Sequence, residues 1–246
     1  MCTVTFLPIH EGYILTSNRD EQHTRKHALP PKTYQHGLLQ ITYPKDQNAN
    51  GTWIASKNNG ETAVLLNGAI HAHIPNPPYR RSRGLVFLDL LASNDPVFEF
   101  ENYNLFGIEP FTIIFACSNH LYECRWDGQK RSNQTLDASL PYIWSSATLY
   151  NQAISSKRKK WFENWLEKNN LPNQQAIIDF HCFTGDGDSH NDLIMNRENQ
   201  VSTVSISSIM IHNREQKFTY HDLKNDQNYT LITNHLQERL IENTVL

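Results

Sequence analysis

The first residues of the chain bring together groups that could carry out nucleophilic chemistry. Cys2 directly follows the initiator methionine. Because cysteine is small, we expect Met1 to be removed, which leaves Cys2 with both a thiol and a free α-amino group. In unperturbed peptides these groups titrate at about 8.5 and about 7.7–8.0, so both can change protonation near neutral pH. The thiolate could attack a carbonyl while the amine transfers the proton, as in an N-terminal nucleophile.

A polar cluster follows Cys2 at a spacing that a hairpin can bridge. Two apolar runs, Thr3–Leu7 and Tyr13–Ser17, predict strands joined by a turn at residues 10–12. Such a hairpin would return Asn18–Glu21 to the side of Cys2. The alternative is that these four polar residues form an ordinary exposed strand end.

Each member of the polar cluster has an expected role beside the nucleophile. We expect Asp20 to bind the new ammonium terminus. Arg19 would lower the pKa of the Cys2 thiol or bind a substrate carboxylate. Asn18 is expected to contribute to substrate binding.

Asn67 is a candidate oxyanion donor. It follows Ala63–Leu66, an almost continuous apolar run that predicts a central strand. A side-chain amide at a strand end can be held rigidly toward a carbonyl oxygen. The alternative reading of Asn67 is a turn residue.

The histidine and aspartate clusters do not predict a metal site. His71 and His73 have no clear third ligand in the sequence. In the loop that begins at Asp186, Asn191 and Arg197 stand where an EF-hand loop needs glycine and glutamate. Phosphate-binding glycine motifs are also missing from the sequence, so we expect no metal and no other cofactor.

Composition excludes several classes of protein. The 246 residues carry a net charge of −3, which does not favour a nucleic-acid partner. The longest apolar runs are strand-length, so no membrane span is expected, and the N-terminus does not resemble a signal peptide. Four irregularly spaced cysteines do not predict a disulfide scaffold, which favours a cytoplasmic location. The sequence does not indicate an oligomeric state.

Hairpin and helix patterns predict an α+β fold of antiparallel sheets covered by helices, in one domain over residues 1–246. Helices are expected over residues 85–92, 151–168 and 174–183, and Asn94–Pro96 is expected to stop the first. The basic run Lys157–Lys160 is expected on the solvated face of the second helix. Residues 22–31 read as loop, and the tail from residue 229 as weakly helical or irregular.

Several motifs occur together in one order along the chain. They are MCTV at the start, Asn18–Glu21, Gly51–Ala55, Ala63–Asn67, Arg81–Gly84, Trp144–Ala147 and Ser202–Ser205. This set resembles the NRDE family of transport and Golgi organisation 2-like proteins. The resemblance implies a four-layer αββα sandwich of antiparallel sheets, similar to the N-terminal nucleophile hydrolases. Choloylglycine hydrolases and penicillin V acylases have this fold and cleave non-peptide amide bonds.

The resemblance implies that Cys2 is the nucleophile, with the support of Asp20 and Asn67 as above. Ser145 stands where the acylases have an oxyanion asparagine, so it is expected to contact the substrate less rigidly. The acylases also have an arginine at the position of Ser17, which this chain lacks, and their late arginine has only Arg197 as a possible counterpart.

Two functions remain open from the sequence. The first is a hydrolase of a C–N amide bond in a small molecule. The second is a non-catalytic binding or trafficking protein for an apolar ligand such as haem or an acyl thioester.

Overall fold

The computed structural model describes residues 3–117, 119–170, 172–198 and 200–234. Within these residues the chain forms two antiparallel sheets of seven strands and four helices. The first sheet contains β1 (Thr3–Ile9), β2 (Gly12–Gln22), β10 (Tyr142–Ser145), β11 (Asn196–Arg197), β12 (Val201–His212), β13 (Glu215–Asp222) and β14 (Gln227–Asn234). The second contains β3 (Leu29–His36), β4 (Leu39–Lys45), β5 (Ile54–Lys57), β6 (Thr62–Asn67), β7 (Phe111–Cys117), β8 (His120–Trp126) and β9 (Arg131–Leu136). The helices are α1 (Arg83–Leu91), α2 (Pro96–Asn102), α3 (Gln152–Lys168) and α4 (Gln174–Phe183).

Three apolar clusters hold these elements in four layers. Phe162 and Phe180 on α3 and α4 pack against the outer face of the first sheet. Val86 and Phe87 on α1 pack against the outer face of the second sheet. Side chains such as Leu15 fill the space between the two sheets. The predicted α+β fold with helices outside two antiparallel sheets is therefore confirmed.

Alternation along β2 sends successive side chains to opposite faces of the first sheet. Leu15 faces the second sheet, whereas Ile14 faces α3 and α4. The same alternation continues into the polar cluster. Arg19 lies over the Trp53 ring between the sheets, and Asn18 contacts α4 on the other face.

The cluster Asn18–Glu21 lies inside β2 and not at its end, which corrects the expectation of a strand that stops at Ser17. Strands β1 and β12 pair with β2 on either side, and Asp20 is opposite Thr203. Asn18, Arg19 and Asp20 are at most 3% exposed. The reading as an exposed strand end is therefore wrong.

Three prolines that were expected in a loop or at a helix stop belong to regular elements. Pro30 and Pro31 lie in β3, which is an edge strand of the second sheet and can tolerate a missing N–H donor. Pro96 is the first residue of α2, with the Asp95 side chain accepting from the N–H groups of residues 97 and 98.

Two further expectations are corrected, one for the C-terminal tail and one for the basic run of α3. Residues 227–234 form β14, so this part of the predicted irregular tail is a strand, and residues 235–246 lie outside the described residues. Arg158 is fully buried, although its neighbours in the basic run 157–160 made a solvated face the simplest expectation. A hydrophobic pattern cannot show that one charge of a run turns inward.

A close approach of two glycines joins α1 to the loop before β5. A Cβ on Gly51 would lie 2.5 Å from the backbone carbon of Gly84, and a Cβ on Gly84 would lie 2.8 Å from the carbonyl oxygen of Thr52. Two motifs that are about thirty residues apart in sequence, Gly51–Ala55 and Arg81–Gly84, therefore meet at one point.

We expect Gly51→Ala to reduce the free energy of unfolding by about 2–3 kcal/mol, because the new methyl group meets backbone that cannot rotate away. Chemical denaturation measures this loss. Gly37→Ala is the matched control: its Cβ meets nothing within 4 Å, so only the positive φ of 60° costs stability, about 1 kcal/mol. Equal losses in the two variants would contradict the close approach.

Candidate active site

A cavity of about 510 Å³ opens between the sheets beside the polar part of β2. Arg19 of β2, Trp53 before β5, Asn67 at the end of β6 and Arg83 of α1 all contribute to its lining. Gln22, the last residue of β2, also lines it, as do Arg25 and Tyr79 from the loops that follow β2 and β6. The structure thus brings two of the sequence-predicted residues, Arg19 and Asn67, to one cavity.

Arg19 is held by compensating charges on this side of the sheet. Its guanidinium donates to Asp46 at 2.6 Å and to Glu21 at 3.2 Å, and it stacks on the Trp53 ring at 4.4 Å. Arg25 binds the same two carboxylates, at 2.9 and 3.4 Å. A buried guanidinium with two acidic partners is fixed in place, and its charge is largely balanced locally.

Asp46 is a site residue that the sequence analysis missed. Its Oδ1 accepts from the N–H groups of Asn48 and Ala49, which fixes a turn, while its Oδ2 faces Arg19 and Arg25. The motif Asp-Gln-Asn-Ala-Asn-Gly carries the signal for such an Asx turn. Nothing in the sequence, however, indicates that the second carboxylate oxygen pairs with Arg19.

Asp20 points to the opposite face of the sheet from Arg19. The Tyr150 hydroxyl donates to its Oδ2 at 2.7 Å, and the Thr203 hydroxyl donates to its Oδ1 at 2.6 Å. Two hydroxyl donors fix the orientation of the buried carboxylate. Tyr150 was not predicted, because it lies in an irregular segment and contacts β2 across 130 residues of sequence.

Contacts of the backbone at residues 67 and 68 hold Asn67 in position. Ser146 donates its hydroxyl to the Asn67 carbonyl at 2.8 Å, and Gly68 turns the chain away with a φ of 80°. The Gly68 N–H donates to Pro110 at 3.0 Å. Within the part of the chain that the structure describes, the Asn67 amide has no hydrogen-bond partner, so it is available to a ligand in the cavity.

The remaining predicted residues lie in different surroundings. Ser145 is opposite Thr3 where β10 pairs with β1, at the end of β1 that follows Cys2. Cys2 itself lies outside the described residues. The Asn18 amide does not reach the cavity, because it donates to the Leu193 carbonyl at 2.6 Å and accepts from His181 at 2.5 Å.

His181 forms the centre of a buried polar group behind β1 and β2. Its Nδ1 donates to Asn18, whose oxygen can only accept, so its Nε2 accepts from the Thr5 hydroxyl at 2.8 Å. Burial, with a smaller contribution from the charge of Arg158, lowers the pKa of His181 from 6.5 to about 3. The imidazole is therefore neutral near pH 7, and Asn18 serves this network and not the cavity.

Cysteines and metal ligands do not form a second centre in the described ranges. Cys117, Cys124 and Cys182 are free thiols. Burial raises the pKa of Cys124 to about 12 and that of Cys182 to about 11, and it also raises the pKa of Cys117, so these thiols are poor nucleophiles at neutral pH. The described residues contain no group of three or more potential metal ligands. Nor is any described helix long and apolar enough to cross a membrane.

The chain matches the Transport and Golgi organisation 2 family over residues 1–244. It belongs to this family. No curated protein matches the chain in sequence. The family resemblance inferred from the motifs is thereby confirmed over nearly the whole chain.

Solved structures share the fold of this family member. One is the cysteine-to-alanine mutant of the conjugated bile acid hydrolase from Clostridium perfringens, with a TM-score of 0.60, 9% identity, and 97% of each chain covered. Another is the Caenorhabditis elegans orthologue of N-acylethanolamine-hydrolyzing acid amidase, with a TM-score of 0.59, 12% identity, and 85% of this chain and 92% of that chain covered. These likenesses show that the chain has an N-terminal nucleophile hydrolase fold.

We expect Tyr150→Phe to lower the free energy of unfolding by about 1–2 kcal/mol, because the buried Asp20 carboxylate loses one of its hydroxyl donors. Denaturant titration near neutral pH measures the change. The matched control is Tyr142→Phe, whose hydroxyl forms no hydrogen bond with the described residues. A Tyr150 variant as stable as the Tyr142 variant would contradict the bond to Asp20.

Acidification below about pH 6.5 should destabilise the protein through His181. The pKa of His181 is lowered in the folded state, so between about pH 6.5 and about pH 3 the unfolded chain binds a proton that the folded chain does not. The free energy of unfolding therefore decreases as the pH decreases through this range, by up to about 1.4 kcal/mol per pH unit. The His181→Gln variant should show a flatter slope of unfolding free energy against pH. The slope of the exposed-site control His10→Gln should equal that of the wild type, and equal slopes in all three proteins would contradict the account.

Proposed function

We propose that this family member is a hydrolase that uses Cys2, after removal of Met1, to cleave a C–N amide bond in a small molecule. The observation that carries the proposal is the fixed Asp20 carboxylate and the available Asn67 amide near one end of β1. Thr3 is the first described residue of β1 and is opposite Asn18, two residues before Asp20 on β2. The peptide bond to Thr3 keeps the Cys2 Cα within about 3.8 Å of the Thr3 Cα.

In the proposed acylation step, the Cys2 α-amine takes the thiol proton and the thiolate attacks the amide carbonyl carbon. The Asn67 amide donates to the oxyanion that forms. Collapse of this tetrahedral intermediate breaks the C–N bond, and the α-ammonium returns its proton to the leaving nitrogen. Asp20 orients the ammonium during both transfers. The products of this step are a free amine and a thioester on Cys2.

In the proposed deacylation step, water attacks the thioester and the α-amine accepts the proton of that water. The C–S bond then breaks and the α-ammonium returns its proton to the leaving sulfur, which releases a carboxylic acid and restores the thiol and the free amine. Arg19 acts in this scheme by fixing one wall of the cavity, because Asp46 and Glu21 already balance its charge. Ser145 is proposed to contact the substrate from β10, beside β1.

The proposed substrate class follows from the size of the cavity and from the chemistry of the structural neighbours. A volume of about 510 Å³ is within the range of small-molecule sites. The activities for which the two neighbours are named, hydrolysis of conjugated bile acids and of N-acylethanolamines, are both directed at small molecules. A non-peptide amide is therefore the substrate class that we assign to this chain as a proposal.

A series of N-acyl aminomethylcoumarin amides of graded acyl length tests this function. We expect turnover by the wild type and none by Cys2→Ala, whereas Cys182→Ala should retain it because that thiol lies on α4. Asn67→Ala should lower kcat by about a hundredfold or more, as loss of an oxyanion donor does. Asn133→Ala, on the exposed strand β9, is the matched control. Turnover that survives in Cys2→Ala would contradict the proposal.

A second candidate function is the non-catalytic binding of an apolar ligand such as haem or an acyl thioester. It is favoured by exposed apolar side chains in the loops that flank the cavity: Ile74 is 91% exposed and Phe106 is 83% exposed. Arg80 ties these loops together through its bonds to the carbonyls of Asn104 and Phe106. Three results together would support this alternative. The purified protein carries such a ligand, the Cys2→Ala variant binds that ligand as tightly as the wild type, and the wild type never forms a thioester.

A further inference from the structure

Arg158 on α3 is a buried cation without a carboxylate partner among the described residues. Its side chain is fully buried. The guanidinium donates to the carbonyls of Asn191, at 3.0 Å, and Asp192, at 2.8 Å, and to the hydroxyl of Thr3. These are neutral acceptors, so its positive charge is not balanced as that of Arg19 is. Burial of such a charge is costly and therefore calls for an explanation.

The same guanidinium also supports the residue that holds Asp20. Its central carbon lies 3.7 Å from the centroid of the Tyr150 ring, and Arg197 approaches the same ring at 5.3 Å. The Tyr150 hydroxyl donates to Asp20 at 2.7 Å. Arg158 thus fixes both Thr3, which directly follows Cys2, and the tyrosine that orients the proposed partner of the terminal amine.

We propose that Arg158 is a positioning residue for the N-terminal cysteine, and that its unbalanced charge favours the reactive thiolate of Cys2. This inference rests on the proposed function. It assigns to the buried arginine of α3 the electrostatic role that Arg19 cannot supply, because two carboxylates already balance Arg19. The guanidinium acts through its contacts with Thr3 and Tyr150.

The charged and titratable groups around Arg158 leave the electrostatic potential of its surroundings positive. His181 on α4 is neutral near pH 7, since its pKa is lowered by burial and, second, by Arg158 itself. Arg197 adds a second cation on the Tyr150 ring. Asp20, beyond Tyr150, is the facing carboxylate, and Asp192 contributes its backbone carbonyl while its carboxylate accepts from the Asp186 N–H.

The sign of the effect follows from the charge. A nearby cation lowers the pKa of a thiol, because it favours the thiolate. It also lowers the pKa of an ammonium, because it disfavours the protonated amine. Removal of the charge at position 158 therefore raises the pKa of the thiol and that of the ammonium. For any reaction that needs the thiolate and the free amine, the acid limb of the pH–rate profile, on which the rate rises with pH, then moves to higher pH.

The pH dependence of Cys2 alkylation by iodoacetamide tests the inference without a substrate. The rate is read by mass spectrometry on the N-terminal peptide, which separates Cys2 from the other thiols. We expect the acid limb of Arg158→Gln to move up by about one pH unit, so that the rate near pH 7 falls about tenfold, while the rate on the alkaline plateau stays equal to that of the wild type. Arg158→Lys keeps the charge, so the acid limb of its alkylation profile should lie at the same pH as that of the wild type.

A second pair of variants keeps the test decisive if Arg158→Gln does not fold. Thr3→Val removes the hydroxyl that the guanidinium binds but keeps the shape of the side chain. The acid limb of its alkylation profile should move to higher pH by a smaller amount, whereas that of Thr3→Ser should stay at its wild-type position. Superimposed profiles of wild type and Arg158→Gln, or of the two Thr3 variants, would overturn the inference alone. A wild-type chain that retains Met1, or whose Cys2 reacts no faster than Cys182 near pH 7, would overturn the proposed function as well.

Discussion

The pairing of β2 between β1 and β12 is the constraint on which the proposed site depends. Because β2 is hydrogen-bonded on both edges, its side chains must alternate between the two faces of the sheet. Consecutive residues Arg19 and Asp20 are therefore sent apart, one to the cavity between the sheets and the other to the α3 side. A terminal residue attached to β1 can then have different partners for its thiol and for its amine.

The two faces of the sheet handle buried charge in opposite ways. On the cavity face, Arg19 is paired with Asp46 and Glu21 and is stacked on Trp53, which favours a rigid wall over a free cation. On the helix face, Arg158 has only neutral acceptors among the described residues. Buried charges without a counter-ion cost stability, and this cost is explained if the field acts on a titrating group nearby.

Local patterns in the sequence predicted the β1–β2 hairpin, the strand before Asn67, three of the four described helices and the family, because each depends on residues that are close in sequence. Strands β3 and β14 were not predicted, because prolines and polar residues interrupt their apolar pattern. Asn67 could be predicted from its place at the end of an apolar strand. Tyr150, Asp46 and Arg158 could not, since each acts through a contact with β1 or β2 that only the folded topology creates. The role expected for Asn18 also depended on topology, because the strand alternation turns its amide toward α4.

The central claim is that mature Cys2 becomes acylated during amide cleavage. Intact-mass spectrometry of the chain, acid-quenched during reaction with an amide that is cleaved, tests it most directly. The account predicts a chain without Met1 that carries the mass of one acyl group, with the adduct on the N-terminal peptide and none in Cys2→Ala. A chain that retains Met1, or an acyl adduct that persists in Cys2→Ala, would contradict it.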